Sequence, residues 1–247
     1  MENMHNLKGK TAWITGGKRI GQRIAELLAE HGANIAISYN KSRKEAEETQ
    51  SRLKKYKIKT LLVKADASSR GDVLEAVNEI KKEFKKIDIL VLMASIFSQS
   101  KLETLSEDDF INNFKVHVLG TFWPIQSSLN IMPKGSHIIT IVEKPEMAKM
   151  YGKYIPYFVT KGANYYLAKA MAAELGNKGI FINSIAPGPV LKPAHLGEKE
   201  WRALRNESLV KFPISDEEAV NEFAKLVLYL SAARSTGSVY SLDFGHL

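Results

Sequence analysis

Thr11-Ala12-Trp13-Ile14-Thr15-Gly16-Gly17-Lys18-Arg19-Ile20-Gly21 is the stretch on which the fold turns. A short apolar run, Thr11 to Thr15, ends in a glycine turn. A helical pattern follows through Ile24, Ala25, Leu27 and Leu28, and Gly32 stops it. Ile35, Ala36 and Ile37 make a second strand. Strand, glycine turn, helix and strand within about 30 residues open a dinucleotide-binding fold. Gly16 and Gly21 let the backbone approach a pyrophosphate, whose charge rests on the helix N-terminus.

The alternation continues outward from there. Helix 42–56 precedes strand Thr60–Val63, and helix 70–85 precedes strand Ile87–Met93. Helix 106–130 precedes strand His137–Val142, and a helix carrying Tyr157 precedes strand Ile180–Ala186. A last helix, 216–233, leads into Val239–Leu242. Seven strands with intervening helices predict an α/β fold: a Rossmann-type, doubly wound parallel sheet with helices on both faces, one domain over residues 1–247. The chain shows no internal repeat, low-complexity tract or linker. Loops 143–153 and 187–200 are the irregular stretches, and both follow strand C-termini, where such sheets bind ligands.

A chain of 247 residues, 45% hydrophobic, can bury a sizeable core. It has no cysteine, which excludes disulfides and thiolate metal sites. Six histidines show no ligand spacing, so no metal is expected. Met1 to Leu7 is short and polar, and the longest apolar run, Ile87 to Phe97, contains Asp88 and is too short for a bilayer. The expectation is a soluble cytoplasmic protein with no membrane partner. The net charge of +8 invites a nucleic-acid partner. However, the basic clusters Arg52–Lys59 and Lys81–Lys86 each close a predicted helix, where lysine complements the helix C-terminus and solvates an outer face. No nucleic-acid partner is expected.

Tyr157-Phe158-Val159-Thr160-Lys161 sets a tyrosine and a lysine one turn apart on a helix face. Apolar residues recur at Leu167, Ala168, Met171, Ala172 and Leu175, and Gly176 supplies a stop. Free tyrosine titrates near ~10. A lysine cation ~4 Å away at an effective dielectric of ~20 would favour the phenolate by roughly 4 kcal/mol. The helix dipole acts in the same direction near Tyr157. Such a pair could shuttle a proton to or from a substrate oxygen or nitrogen, although the same spacing also arises on helices without chemistry.

These residues together amount to a resemblance. Thr15-Gly16…Gly21, Asp66 after the third strand, Tyr157-xxx-Lys161, Asn183-Ser184-Ile185-Ala186-Pro187-Gly188 and the closing Thr236-Gly237…Leu242-Asp243-Phe244-Gly245 make the chain similar, end to end, to the short-chain dehydrogenases/reductases. The resemblance implies NAD(P)-dependent hydride transfer with a small-molecule substrate. Tyr157 would be the acid/base and Lys161 would hold the nicotinamide ribose. Thr15, Gly16, Gly17, Lys18, Arg19, Ile20 and Gly21 would line the cofactor, with Ala94 and Ser95 beside it. Asp66 and Ala67 would meet the adenine, and Pro187, Gly188 and Val190 the carboxamide. Homo-oligomers, tetramers or dimers, would form through the helices around 106–130 and 157–175.

Several positions depart from the family pattern. Gly16 to Gly21 spans five positions where six are usual, and Arg19 falls near the family's middle glycine. Leu92-Met93-Ala94-Ser95 replaces Asn-Asn-Ala-Gly, and His117 replaces a helix asparagine that relays water to the lysine. Glu143 takes the place of the family serine, and the loop to Tyr157 is one residue longer. A Lys-Arg-apolar-Gly turn and a carboxylate in the serine position resemble the pteridine reductase branch. The wider 3-oxoacyl carrier-protein reductase group is the broader alternative, and an NADPH-binding regulatory protein with weak catalysis is another.

The end of the second strand reads Ser38-Tyr39-Asn40-Lys41-Ser42-Arg43, with no carboxylate until Glu45. NAD enzymes place an acidic residue there for the ribose hydroxyls. With Lys18 and Arg19 adjoining, Asn40, Lys41, Ser42 and Arg43 predict NADP(H), each charge-assisted bond to a 2′-phosphate worth roughly 1.5–3 kcal/mol. A solvated helix start is the other reading of Lys41 and Arg43. Lys192, where the family often has threonine, would add a contact to the diphosphate. His117 either carries a proton or holds a water, or is a hydrogen-bonded core histidine. An ionised Glu143 can only accept hydrogen bonds. Beside Tyr157 it would therefore be a protonated second acid, or would face a substrate with N–H donors or positive charge. Both fit reduction of a C=N bond in a nitrogen heterocycle. The remaining reading turns Glu143 to solvent. Phe97, Met147, Met150 and Trp201 lie in the loops expected around the pocket.

Overall fold

The computed structural model describes residues 6–16, 18–143, 152–188, 190, 192, 196–206 and 214–245. Its elements run β1 (Thr11–Thr15), α1 (Ile20–Glu30), β2 (Asn34–Tyr39), α2 (Arg43–Leu53), β3 (Thr60–Lys64), α3 (Arg70–Phe84), β4 (Ile89–Leu92), α4 (Glu107–Phe114), α5 (Gly120–Ser128), β5 (His137–Ile141), α6 (Ile155–Gly176), β6 (Phe181–Pro187), α7 (Glu198–Asn206), α8 (Asp216–Leu230) and β7 (Val239–Leu242). The strands form one seven-stranded sheet in the order β3-β2-β1-β4-β5-β6-β7, and every pairing is parallel. The order reverses between β1 and β4, so the crevice at their C-terminal ends is where such a sheet takes a ligand.

Alternation along each strand feeds two cores. Ala12 and Ile14 of β1 pack with Ile24 and Leu28 of α1, Leu53 of α2 and Phe223 and Val227 of α8. Trp13, between them, points the other way, among Val73 and Ile80 of α3, Ile125 of α5 and Ala168 and Leu175 of α6. Because both faces are covered, the strands read as nearly unbroken apolar runs.

Four expectations change in detail. The predicted helix 106–130 is α4, a π-helical turn at Lys115–Leu119, α5 with Pro124 inside it, and a 3-10 turn at Leu129–Ile131. Proline removes one backbone donor and crowds the preceding turn, which accounts for the irregular passage into α5. The predicted helix 42–56 closes as α2 plus a 3-10 turn at Lys54–Tyr56, and α8 ends at Leu230. β4 is shorter than the apolar run Ile87–Met93, since Ile87 N bonds Ile131 O and Asp88 N bonds Thr11 O outside the ladder. Finally, α7 begins inside the loop expected over 187–200. Its charged sequence offers a narrow apolar stripe, and Trp201 alone of its described side chains is buried. Gly17, Met147 and Met150 lie outside the described residues.

Candidate active site

β5 ends at Ile141, and Val142 and Glu143 continue from it toward the crevice. α6 starts opposite, with Pro156 in its first turn, where a missing N–H costs nothing. Tyr157 is therefore on the first turn of α6, and its Oη donates to Glu143 Oε1 at 2.8 Å. Lys161, one turn on and 4% exposed, donates from Nζ to Ile141 O at 2.9 Å. Phe97 stands edge-on to the Tyr157 ring, centroids 4.7 Å apart, and stacks on Tyr154 at 4.1 Å. The tyrosine, the lysine, the glutamate and one loop aromatic thus meet at the C-terminal ends of β4 and β5.

The electrostatics differ from the expectation for a tyrosine–lysine pair. The Tyr157 phenol is held well above its usual range by burial, and then by the charge and hydrogen bond of Glu143. Lys161 does not bring it down: its Nζ is 5.9 Å from the ring centroid and is turned to Ile141 O. Burial also lowers Lys161 to about 8, against the opposing pull of Glu143. The Glu143 carboxyl is raised by burial, an effect that the Tyr157 bond and Lys161 partly offset. The result is a neutral phenol bonded to a carboxyl, with an ammonium that gives up its proton readily.

His117 lies in the π-helical turn and is 1% exposed. Its Nε2 is 3.1 Å from both Ile96 N and Ser95 Oγ, and its Nδ1 is 2.8 Å from Thr160 Oγ1. Assigning the proton to Nδ1 leaves no donor without an acceptor, because the Thr160 hydroxyl then donates to Pro156 O at 2.6 Å and Nε2 accepts from Ile96 N–H. Burial, and then the Lys161 charge, lower this histidine to about 3, so the ring is neutral. It ties the Ser95–Ile96 segment to α6 between Tyr157 and Lys161.

The cofactor residues gather where β1, β2 and β4 end. Gly16 has φ +115°, and its N–H bonds Ser38 O at 3.0 Å. A Cβ on Gly21 would meet Gly16 O at 1.8 Å, so no other residue fits at that crossing of turn and helix. Arg19 takes φ 58°, where glycine is at ease, at a cost of about 1–3 kcal/mol. The first turn of α1 (with Ile20 at its head) carries no acidic side chain and no side-chain cap, so nothing there opposes the attraction of a helix N-terminus for an anion. Thr15 Oγ1 accepts from Met93 N at 2.9 Å and fastens β1 to the Met93-Ala94-Ser95 segment. On the other side, Asp66 accepts from Asn40 Nδ2 at 2.8 Å and from Ser68 N at 2.8 Å. Ala67 O lies 3.5 Å from where a Gly120 Cβ would sit. Lys18, Lys41 and Arg43 are exposed near the end of β2, with Ser42 half-buried between the last two. Lys18 reaches Glu45 at 3.9 Å, and Arg43 bonds Glu47 at 2.8 Å. Pro187 closes β6; Gly188 presses so closely on Asp243 that a Cβ there would meet its backbone at 2.6 Å; Val190 is buried. Lys192 pairs with Glu198 at 2.9 Å, and its carbonyl accepts from Arg19 Nη2. A glycine turn under a helix start, with a second glycine pressed against the closing strand, is a cradle suited to a dinucleotide.

Among the described residues no group of three histidine, aspartate or glutamate side chains could hold a metal, and no helix is long and apolar enough to cross a membrane. The family profile described as enoyl-(acyl carrier protein) reductase matches residues 16–246. A short-chain dehydrogenase/reductase from Serratia marcescens superposes with a TM-score of 0.90 at 31% identity, covering 98% of this chain and 99% of that one. A short-chain dehydrogenase from Burkholderia cenocepacia, solved in complex with NADP, superposes with a TM-score of 0.87 at 26% identity, covering 98% and 99%. The uncharacterized oxidoreductase YhxC of Bacillus subtilis is 31% identical over 235 residues, 93% of this chain and 81% of that protein. The chain belongs to the short-chain dehydrogenase/reductase family and is an NAD(P)-dependent oxidoreductase.

Proposed function

We propose that the protein is an NADPH-dependent reductase acting on a C=N bond of a pteridine-like nitrogen heterocycle. In it Tyr157 gives the proton, Lys161 is its partner and Glu143 orients the substrate. The observation that supports this most is the 2.8 Å bond between Tyr157 Oη and Glu143 Oε1. Bound NADPH supplies the hydride. Tyr157, kept neutral, donates to the substrate nitrogen as that atom gains charge. A Glu143 carboxylate beside it accepts from a ring N–H or exocyclic amine, and such a substrate replaces the phenol as its partner. A serine would suit a carbonyl oxygen better, because it donates. His117 enters as a positioning group, since burial keeps its ring neutral at pH 7 and both ring nitrogens are held in hydrogen bonds.

One observation favours a second reading. Burial raises Glu143, and a protonated carboxyl would donate to a carbonyl together with Tyr157, as a ketoreductase needs. NADPH oxidation measured side by side with dihydropterin, dihydrofolate and a 3-oxoacyl thioester separates the two. Turnover of the heterocycles, lost in Tyr157→Phe, is the expected result. Activity confined to the thioester overturns the heterocycle reading.

The preference for NADP(H) rests on Lys18, Lys41 and Arg43 at the end of β2, where no carboxylate replaces them before Glu45. Titration with both cofactors tests it, and NADH binding equal to or tighter than NADPH binding overturns it. We also read the protein as a homo-oligomer assembled through α4 and α6.

A further inference from the structure

All strands of the sheet run the same way, so the connections leading into them share one end, opposite the crevice. Lysine leads into five of them: Lys10 into β1, Lys59 into β3, Lys86 into β4, Lys134 into β5 and Lys178 into β6. These connections lie side by side, since Asn34 N bonds Lys10 O, Ile35 N bonds Lys59 O and Gly135 N bonds Gly179 O. From β3 to β6 the row crosses about 24 Å of sheet. Lys10 and Lys86 both reach the buried Asp88 at 3.1 Å, and Lys59 reaches Glu83 at 3.2 Å. Lys57, Lys85, Lys134 and Lys178 are exposed and have no ion pair among the described residues. Against this charge stand Glu30 and Glu174, in the last turns of α1 and α6.

Helix ends alone do not account for these lysines. The last turn of α3 already has Lys81 and Lys82 to complement its dipole. Lys85 then caps that helix at φ 71°, and Lys57 closes the 3-10 turn before β3 at φ 55°, a backbone in which glycine is at ease. The chain keeps cations where a helix end would accept glycine. Taken singly, the clusters Arg52–Lys59 and Lys81–Lys86 only solvate helix ends, but the Lys59–Glu83 pair joins them into one face. We propose that this end of the sheet docks on the surface of an anionic lipid bilayer, with the crevice turned away toward solution. The face is shallow, because only His31–Ala33 separate α1 from β2, and Asn177–Ile180 separate α6 from β6. None of the large apolar side chains exposed among the described residues lies in these connections, and the Phe181 ring is stacked on His137 at 5.1 Å. A nucleic-acid strand is held by a groove and by open aromatic faces for its bases. Compact lysine charges on a shallow face match a plane of anionic headgroups instead.

Cosedimentation of the full chain with phosphatidylcholine vesicles, with and without phosphatidylserine, tests this. Binding should require phosphatidylserine and weaken as salt is raised to ~0.15 M. Lys57→Gly/Lys85→Gly/Lys178→Gln should lower vesicle partitioning on the order of a hundredfold, about fivefold per lysine. Its turnover in solution should match wild type. Lys44→Gln/Lys101→Gln/Lys199→Gln removes the same charge from exposed positions outside this end and should bind nearly as wild type. Equal losses in the two triple variants would reduce the effect to net charge and overturn the proposal, as would equal binding to neutral vesicles. Displacement of NADPH by vesicles would place the contact at Lys18, Lys41 and Arg43 and also overturn it. Binding of poly(U) RNA without binding of vesicles would replace the bilayer with a nucleic acid. Should the first variant fail to fold, lysine acetylation of the wild type decides. Vesicles should protect Lys57, Lys85, Lys134 and Lys178 and leave Lys44, Lys101 and Lys199 reactive, and the reverse pattern sinks the idea.

Discussion

Lys161 keeps 4% of its surface in contact with solvent and binds its proton less tightly than in an unfolded chain, about 8 against 10.5. That difference has a sign. The burial penalty is present in full below pH 8, where both states are protonated, and fades as pH rises toward 10.5, where both are neutral. Lys161→Met should therefore raise stability at pH 7 by as much as roughly 3 kcal/mol while abolishing turnover. The gain over wild type should shrink between pH 8 and 10.5. Urea unfolding at pH 7 and pH 9.5 measures it, and a variant less stable than wild type at pH 7 refutes it. In the wild type, kcat should decline above pH 8 as Lys161 empties. Tyrosine and lysine at this spacing were legible in the sequence, and Glu143 only through the resemblance, as the residue in the family's serine position. Illegible was the balance of forces on Tyr157, because burial and Glu143 outweigh a lysine that is turned toward Ile141 O.

Elements hold these residues in place through contacts that admit little variation. Gly21 shows this best, because a Cβ there would overlap Gly16 O at 1.8 Å. Gly71, in the first turn of α3, offers the contrast: its nearest atom to an added Cβ is Ser69 Oγ at 3.9 Å, and its φ needs no glycine. Gly21→Ala should cost more than about 2 kcal/mol and abolish NADPH binding, since the turn must open to admit the methyl. Gly71→Ala should leave binding intact and stabilise by up to about 1 kcal/mol, through lower entropy of the unfolded chain. Thermal unfolding with and without NADPH reads both, and a Gly21→Ala protein that binds NADPH normally would show that the turn is looser than its geometry. Strand–turn–helix order was legible because period and glycine placement are local signals. The π-helical turn at Lys115–Leu119 and the start of α7 were not. One answers to packing of His117 against α6, and the other depends on Trp201 finding a buried place.

At the scale of the whole molecule, seven strands in the order β3-β2-β1-β4-β5-β6-β7 bring the two halves of the site together across the switch point between β1 and β4. This topology was legible, since alternating strands and helices leave few right-handed parallel windings. The expectation of a homo-oligomer rests on the resemblance alone, because an exposed apolar side chain on one helix looks ordinary in sequence. In the fold the two helices that carry several of these side chains lie against each other. Phe110, Ile111 and Phe114 on α4 are 36%, 37% and 45% exposed, and Val159 and Tyr166 on the neighbouring α6 are 56% and 65% exposed. Apolar side chains facing water on two adjoining helices are what the proposed interface between copies would bury. The chain carries +8 overall, yet the nearest cations in sequence to these side chains are Lys115, Lys161 and Lys169, of which Lys161 is buried, so repulsion between copies is modest there. Sedimentation equilibrium should therefore give a mass that is a multiple of the 27.6 kDa chain. Phe114→Asp combined with Tyr166→Asp places two carboxylates where another copy would bury them unpaired, so dissociation should follow. Since Tyr157 and Lys161 lie on the same α6, turnover is expected to fall severalfold as that helix loses its cover, while the fold persists by circular dichroism. A double variant that retains the wild-type mass would move the interface elsewhere on the molecule, and a wild-type protein that sediments at the mass of one chain would remove it altogether.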